Sequence, residues 1–343
     1  MSFGRVVRLY AGKFFEGNGS VGDALDLSAL DIDFEVTRAV TFYDNCATVT
    51  VHNASPETVR RLSDDCNSLV LQAGYRDGAV GNIFVGQIAC VETRRDGAGY
   101  ATTVSCVSSR GAFYQLSRLH VSVSFDCGTR VRACLDTLCA YAGIALRAGF
   151  TDDMEKGIPW AFSASGTFRA VARQFAEFIL WPYFKKRIYL DNNELIVMDG
   201  KNSVGLEDIV LDHSSGLLSA TERRDESLNR VNFGDDPEYY LFSEREGETA
   251  EEYRGRKPAE TSGTIYRPRE IGFRALVTPK IAPNVFVQVD SSTGSDYDSV
   301  TAVKGRFVVT RCVFRGSNAG GDFTVECEAR EAEPLPGKEA SGA

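Results

Sequence analysis

Apolar and polar residues alternate with a period of two through the early part of the chain, which marks strands with one buried and one wet face. DIDFEVT (31–37) sets Ile32, Phe34 and Val36 against Asp31, Asp33 and Glu35, and CATVTVHNAS (46–55) repeats the rhythm. The period then changes in SPETVRRLSDDC (55–66). Ser55 stands as N-cap, Pro56 at the first helical position and Glu57 in the first turn, while Val59, Leu62 and Cys66 share one face. This predicts a short amphipathic helix. SLVLQAGY (68–75) and NIFVGQIACV (82–91) return to strands.

Two helical stripes follow. TRVRACLDTLCAYAG (129–143) aligns Val131, Cys134, Leu135, Leu138 and Cys139 and stops on Gly143; GTFRAVARQFAEFILWP (166–182) aligns Phe168, Val171, Ala172 and Phe175, continued by Phe178 or Ile179. Pro182 is expected to end that helix. RIYLDNNELIVMD (187–199) reads as a hairpin turning at Asn192 and Asn193. Strands resume in LLSATERRDESLNRVNFGD (217–235) and in EIGFRALVTPKIAPNVFVQVD (270–290), where Pro279 and Pro283 punctuate the entry. The intervening charged run, 235–260, is expected to be an acidic surface loop.

One phrase is written twice. FVGQIACVETRRDGAGYATTVSC (84–106) and FVVTRCVFRGSNAGGDFTVEC (307–327) both open on Phe-Val, pass a Cys-Val pair, cross a Gly-rich turn and close on Thr-Val-x-Cys. Both read as β-hairpins. Any two hairpins share some of this rhythm; a duplicated β-domain is the sharper reading. The organisation expected is a β-rich segment over 1–115, a small α/β segment over 116–215, a second β-rich segment over 216–331 and a tail over 332–343.

Composition narrows the class. Hydrophobic residues at 43% and charged residues at 25% are ordinary globular usage, which disfavours disordered, collagen-like and coiled-coil classes. The longest apolar run, FAEFILW (175–181), carries Glu177 and falls well short of the ~20 residues of a membrane span. The opening MSFGRVVRLYAG lacks a long apolar core, so no signal peptide is expected and folding is expected in the cytoplasm. Nine cysteines without a Cys-x-x-Cys pair argue against a disulfide framework and against zinc. Cys90 and Cys106 are expected to face each other across the first hairpin, reduced. A net charge of −9 leaves no basic surplus for holding phosphates, so sequence-specific nucleic-acid binding is not expected. Such a balance suits a surface that DNA passes without sticking.

Candidate chemistry is sparse. His52, His120 and His213 stand in no metal-ligand spacing, and neither a nucleophile elbow nor a phosphate loop occurs. The expectation is no enzyme, with no catalytic, cofactor or metal residues. Asp31, Asp33 and Glu35 could in principle bind metal or serve glycoside hydrolysis; as the solvated face of a half-buried strand they need no ligand.

The order of features resembles the baseplate hub proteins of long-tailed, contractile bacteriophages. The resemblance is carried by CATVTVHNASPETVRRL, by LVLQAGYRDGAVGNIFVGQI with its Ala-Gly-Tyr and Phe-x-Gly strand ends, by LVTPKIAPNVFVQVD and by the closing hairpin GRFVVTRCVFRGSNAGGDFTVECEA. It implies an α+β, mainly β fold: two tail-tube-like barrel or sandwich domains flanking a small α/β middle domain. It further implies a homotrimer whose six tube-like units form a ring between a hexameric tail tube and a trimeric spike. The implied partners are the tail tube protein, the central spike protein and the C-terminus of the tape measure protein. The implied setting is the tail baseplate of a virion assembled in the host cytoplasm. By analogy Asp31, Asp33 and Glu35 are candidates to face a lumen that DNA crosses, with the solvated strand face as the alternative. Two other classes stay open. A cell-wall-degrading tail enzyme requires a cleft with converging acids; a glycan- or receptor-binding β-protein requires exposed aromatics, for which Tyr239 and Tyr240 are the candidates.

Overall fold

A computed structural model of the chain describes residues 4–13, 24–40, 45–108, 119–148, 152–184, 186–192, 194–198, 208–223, 269–293 and 301–332. The acidic run at 235–260, with Tyr239 and Tyr240, and the tail beyond Ala332 lie outside them.

The first segment supplies β1 (Arg5–Gly12), β2 (Leu25–Asp26), β3 (Ile32–Ala39), β4 (Cys46–His52), α1 (Pro56–Asp64), β5 (Ser68–Tyr75), β6 (Val80–Asp96) and β7 (Gly99–Val107). The middle supplies β8 (His120–Phe125), α2 (Val131–Ala142), β9 (Ala145–Arg147), α3 (Asp152–Glu155), β10 (Phe162–Thr167) and α4 (Phe168–Phe175). It continues through a π-helical turn (Ala176–Leu180) into α5 (Trp181–Phe184), β11 (Arg187–Asp191) and β12 (Glu194–Met198). The last segment supplies β13 (Ile209–Leu211), β14 (Leu217–Arg223), β15 (Glu270–Leu276), β16 (Phe286–Asp290), β17 (Lys304–Ser317) and β18 (Phe323–Glu331).

Local signals account for the helices. The Ser55 hydroxyl accepts a hydrogen bond from the Thr58 amide at 3.1 Å, and Leu62 is the buried residue of α1. The α2 stripe is buried as spaced, and Gly143 closes the helix in the left-handed region at φ 63°. Pro182 does not end the second long helix. Its ring and missing N–H would break an α-ladder at this point, and the wider π turn over Ala176–Leu180 lies immediately upstream, so helical backbone continues to Phe184.

Among the described residues thirteen strands join into one sheet in the order β14-β15-β18-β17-β3-β4-β7-β6-β5-β1-β2, with β16 on β17 and β13 on β16. Of the barrel or sandwich expected, the closed barrel does not occur: among the described residues the pairing path is open, ending on β14 and β2. Within the sheet, one order occurs twice. The first half runs β3-β4-β7-β6-β5-β1 and the second β14-β15-β18-β17-β16-β13. The halves differ at the last step, where β1 pairs antiparallel to β5 and β13 parallel to β16. An apolar cluster runs without a break from Val7 and Leu9 through Val36 and Phe84 to Phe307, Phe314 and Val325. Burying each such side chain contributes about 1.5–3 kcal/mol.

The middle segment has its own core, in which α2 and α4 cover the antiparallel β8–β10 pair and the three-stranded β11-β12-β9 sheet. Phe125, Phe162 and Phe175 meet there, with Phe162 edge-on to Phe175 at 5.2 Å. Among the described residues no helix is long and apolar enough to cross a membrane.

The repeated phrase forms the two hairpins as read, β6–β7 and β17–β18, and each first strand carries a one-residue bulge, at Ala89 and at Thr310. The first bulge corrects one expectation. It shifts the register so that Cys90 pairs with Ser105 and Cys106 with Ile88, leaving Cys90 exposed and Cys106 buried. In the second hairpin the bulge lies before the cysteine pair, and Cys312 sits directly opposite Cys327, both buried as free thiols.

Candidate functional site

The two halves meet where β17 pairs antiparallel with β3, from Arg311 opposite Ala39 to Ser317 opposite Asp33. On the core side Val36 faces Phe314 and Phe34 faces Gly316. A side chain at Gly316 would strike the Phe323 and Phe34 rings at 2.6 and 2.7 Å, so this position must be bare for the rings to close over it. Phe34 and Tyr75 both stand edge-on to Phe323, at 5.9 and 5.3 Å between centroids, and the Arg5 guanidinium lies 5.3 Å over the same ring. Asn318 completes the seam: its Oδ1 accepts from the Ile32 amide at 2.8 Å and its Nδ2 donates to the Leu30 carbonyl at 2.7 Å.

The wet face of this seam carries the acids singled out in the sequence. Asp33 and Glu35 lie on the exposed face of β3, and Asp31 is exposed just before it. They do not converge on a common centre. His52 Nε2 lies 2.8 Å from Asp33 Oδ2, and Arg315 donates to Glu35 at 2.9 Å and to Glu326 at 2.6 Å. Asp31 contributes its carbonyl to the His52 amide. Partial burial pushes the Asp33 carboxyl up; the hydrogen bonds from His52 and Ser317 and the His52 charge outweigh this, so its pKa falls below the ordinary value. Arg315 is held in its charged form chiefly by the hydrogen bond to Glu35. Beside these pairs stand hydroxyls: Asp33 is opposite Thr50, which is opposite Thr103, and Glu35 is opposite Thr48, which is opposite Ser105. The face is therefore hydroxyl-rich, with Asp33 and Glu35 each paired to a basic side chain. The three histidines stay apart, and among the described residues no group of three or more His, Cys, Asp or Glu is placed to hold a metal.

A polar cluster on the core side was not anticipated. Ile32, Phe34 and Val36 point into the core, and Arg38 continues their register although charged. It is answered from the middle segment: Arg38 Nε donates to both carboxylate oxygens of Asp191 at 3.1 and 3.2 Å, and Asn45 Nδ2 donates to Asp191 at 2.8 Å. Arg38, Asn45 and Asp191 are all buried. Burial works against the Arg38 charge, and the Asp191 carboxylate more than offsets it, holding the guanidinium firmly protonated. The same hairpin reaches both halves. Asn192 Oδ1 accepts from the Val85 amide at 3.1 Å, and the Tyr189 hydroxyl donates to the Pro283 carbonyl at 3.1 Å. A charged residue in the apolar register of β3 is the one sequence signal that pointed here.

No protein-family model and no curated protein matches the chain. Solved structures do. The fold is similar to that of a tail protein from Neisseria meningitidis MC58, at TM-score 0.56 and 12% identity over 96% of this chain and 97% of that one. It is similar to the 43 kDa tail protein of prophage MuSo2 from Shewanella oneidensis, at TM-score 0.57 and 12% identity over 95% and 97%. The E. coli c3393 protein, described as a component of the type VI secretion system with structural similarity to the T4 bacteriophage tail proteins gp27 and gp5, matches at TM-score 0.50 and 10% identity over 88% and 74%. The chain shares the mainly β fold of these tail proteins.

Proposed function

We propose that this chain is a non-enzymatic structural protein of a phage tail, a baseplate hub that acts as a trimer. The observation that carries the reading is the twice-used strand order, β3-β4-β7-β6-β5-β1 and β14-β15-β18-β17-β16-β13, each order containing the bulged hairpin. Two like halves per chain and three chains give six like units, which a closed ring of successive equivalent contacts accommodates. Such a ring matches a hexameric tube on one side and a trimeric spike on the other.

In this reading 1–115 and 216–331 are the two tube-like domains, 116–215 is the middle domain, and the partners are the tail tube protein, the central spike and the end of the tape measure protein. The wet face bearing Asp33 and Glu35 lines the lumen. Its hydrogen-bonded acids and threonines offer passing DNA neither a surplus of cations nor a bare acidic wall. The hub belongs to the baseplate of the virion and uses no cofactor. Light scattering of the purified full chain over a concentration series, alone and with its neighbouring tail proteins, tests the proposal. A mass of three chains is expected; a single-chain mass under every condition overturns it.

A further inference from the structure

The matched strand orders assign each strand a counterpart in the other half, and two strand edges are left uneven by it. β17 pairs with β3 along Arg311–Ser317. Its counterpart β6 pairs with β5 only up to Gln87, and beyond this, among the described residues, its edge opposite β7 has no strand partner. The counterpart of β3 is β14, which among the described residues pairs with β15 alone. Among the described residues one half thus leaves the outer edge of β6 bare, and the other half the outer edge of β14.

From this we infer that β14 of one copy pairs antiparallel with the outer part of β6 in the next copy, repeating between chains the β3–β17 seam found within the chain. The inference rests on the ring reading above and names the strands that close the ring. The register follows by stepping across the sheet. Cys106 and Cys327 close the two phrases, and their neighbours in the ladders match Val36 with Ala220 and Phe314 with Val91. Within the chain Val36 lies opposite Phe314 and Thr37 opposite Val313. Between chains Ala220 then lies opposite Val91 and Thr221 opposite Cys90. The exposure pattern agrees, since Ala220 and Val91 are both partly buried on the core side while Thr221 and Cys90 are both exposed on the wet side. Leu218, 45% exposed at the bulge of β14, gains cover in the same contact.

A native cysteine already sits at the predicted position, so one substitution tests the register. In full-length Thr221→Cys, mild oxidation with oxidised glutathione should join the introduced thiol to Cys90 of the next copy, because directly opposed residues in antiparallel strands come within disulfide reach. Non-reducing electrophoresis should move most of the chain into two- and three-chain bands, and Cys90→Ser in the same background should abolish them. The pair Ser219→Cys with Glu92→Cys, one step along the wet face, should behave alike. If light scattering gives three chains but neither pair cross-links, this edge assignment is wrong and the ring reading stands. A single-chain mass throughout, with no cross-link, removes both.

Discussion

The hairpins β6–β7 and β17–β18 begin and end on the same residues but lead different lives. In the second, Phe314 is fully buried under the seam with β3, and the Cys312 thiol, opposite Cys327, is pushed up to about 12 by burial. In the first, the position matching Phe314 is Val91, only partly buried, and the position matching the buried Val313 is the exposed Cys90. One pattern of alternation thus yields a core strand where a neighbour covers its edge and a half-wet strand where none does. The contrast teaches that burial at a sheet edge is a property of what lies beyond it.

Truncation tests the contrast most strongly. Phe314→Ala should cost about 3–5 kcal/mol of stability in urea unfolding, the usual loss for a buried Phe. Val91→Ala should cost under about 1 kcal/mol in the isolated chain. Equal losses would break the comparison.

An effect of similar size is expected on the core side of the seam. Asp191→Ala leaves the Arg38 charge buried without its partner, which should cost about 3–5 kcal/mol. Adding Arg38→Met should restore most of the loss, because the stranded charge and not the missing attraction dominates.

The wet side of the same seam should respond weakly. Arg315→Ala removes ion pairs to Glu35 and Glu326 that solvent screens, so denaturation should shift by less than about 1 kcal/mol. Smaller still is the pH effect of Asp33. Its folded pKa lies below the ordinary 3.8, so its contribution is complete above that value and is lost as the pH falls through the folded value. The stability difference between wild type and Asp33→Asn should therefore hold at neutral pH and vanish in strong acid.

The strands of the first half were legible because alternation is local, as were α1 and α2 from Ser55, Pro56 and Gly143. RVVRLYAG and HVSVSF carry the same alternation in β1 and β8. What sequence order hides is pairing. Nothing in DIDFEVT names β17 as its neighbour, and nothing in RIYLDNN names Arg38. The Ala89 bulge defeated the facing of Cys90 and Cys106 because one extra residue in a strand leaves the alternation on either side intact. The exposure of Asp33 and Glu35 is legible in the alternation; their pairing with His52 and Arg315 depends on β4 and β17, which the local pattern does not place.

Two like halves in each of three chains are proposed to make one ring. End-on electron-microscopic class averages of the purified oligomer test it most directly. A closed ring of six similar lobes around an open centre is expected. A three-lobed particle without a central opening, or two halves that occupy different radii, would contradict it.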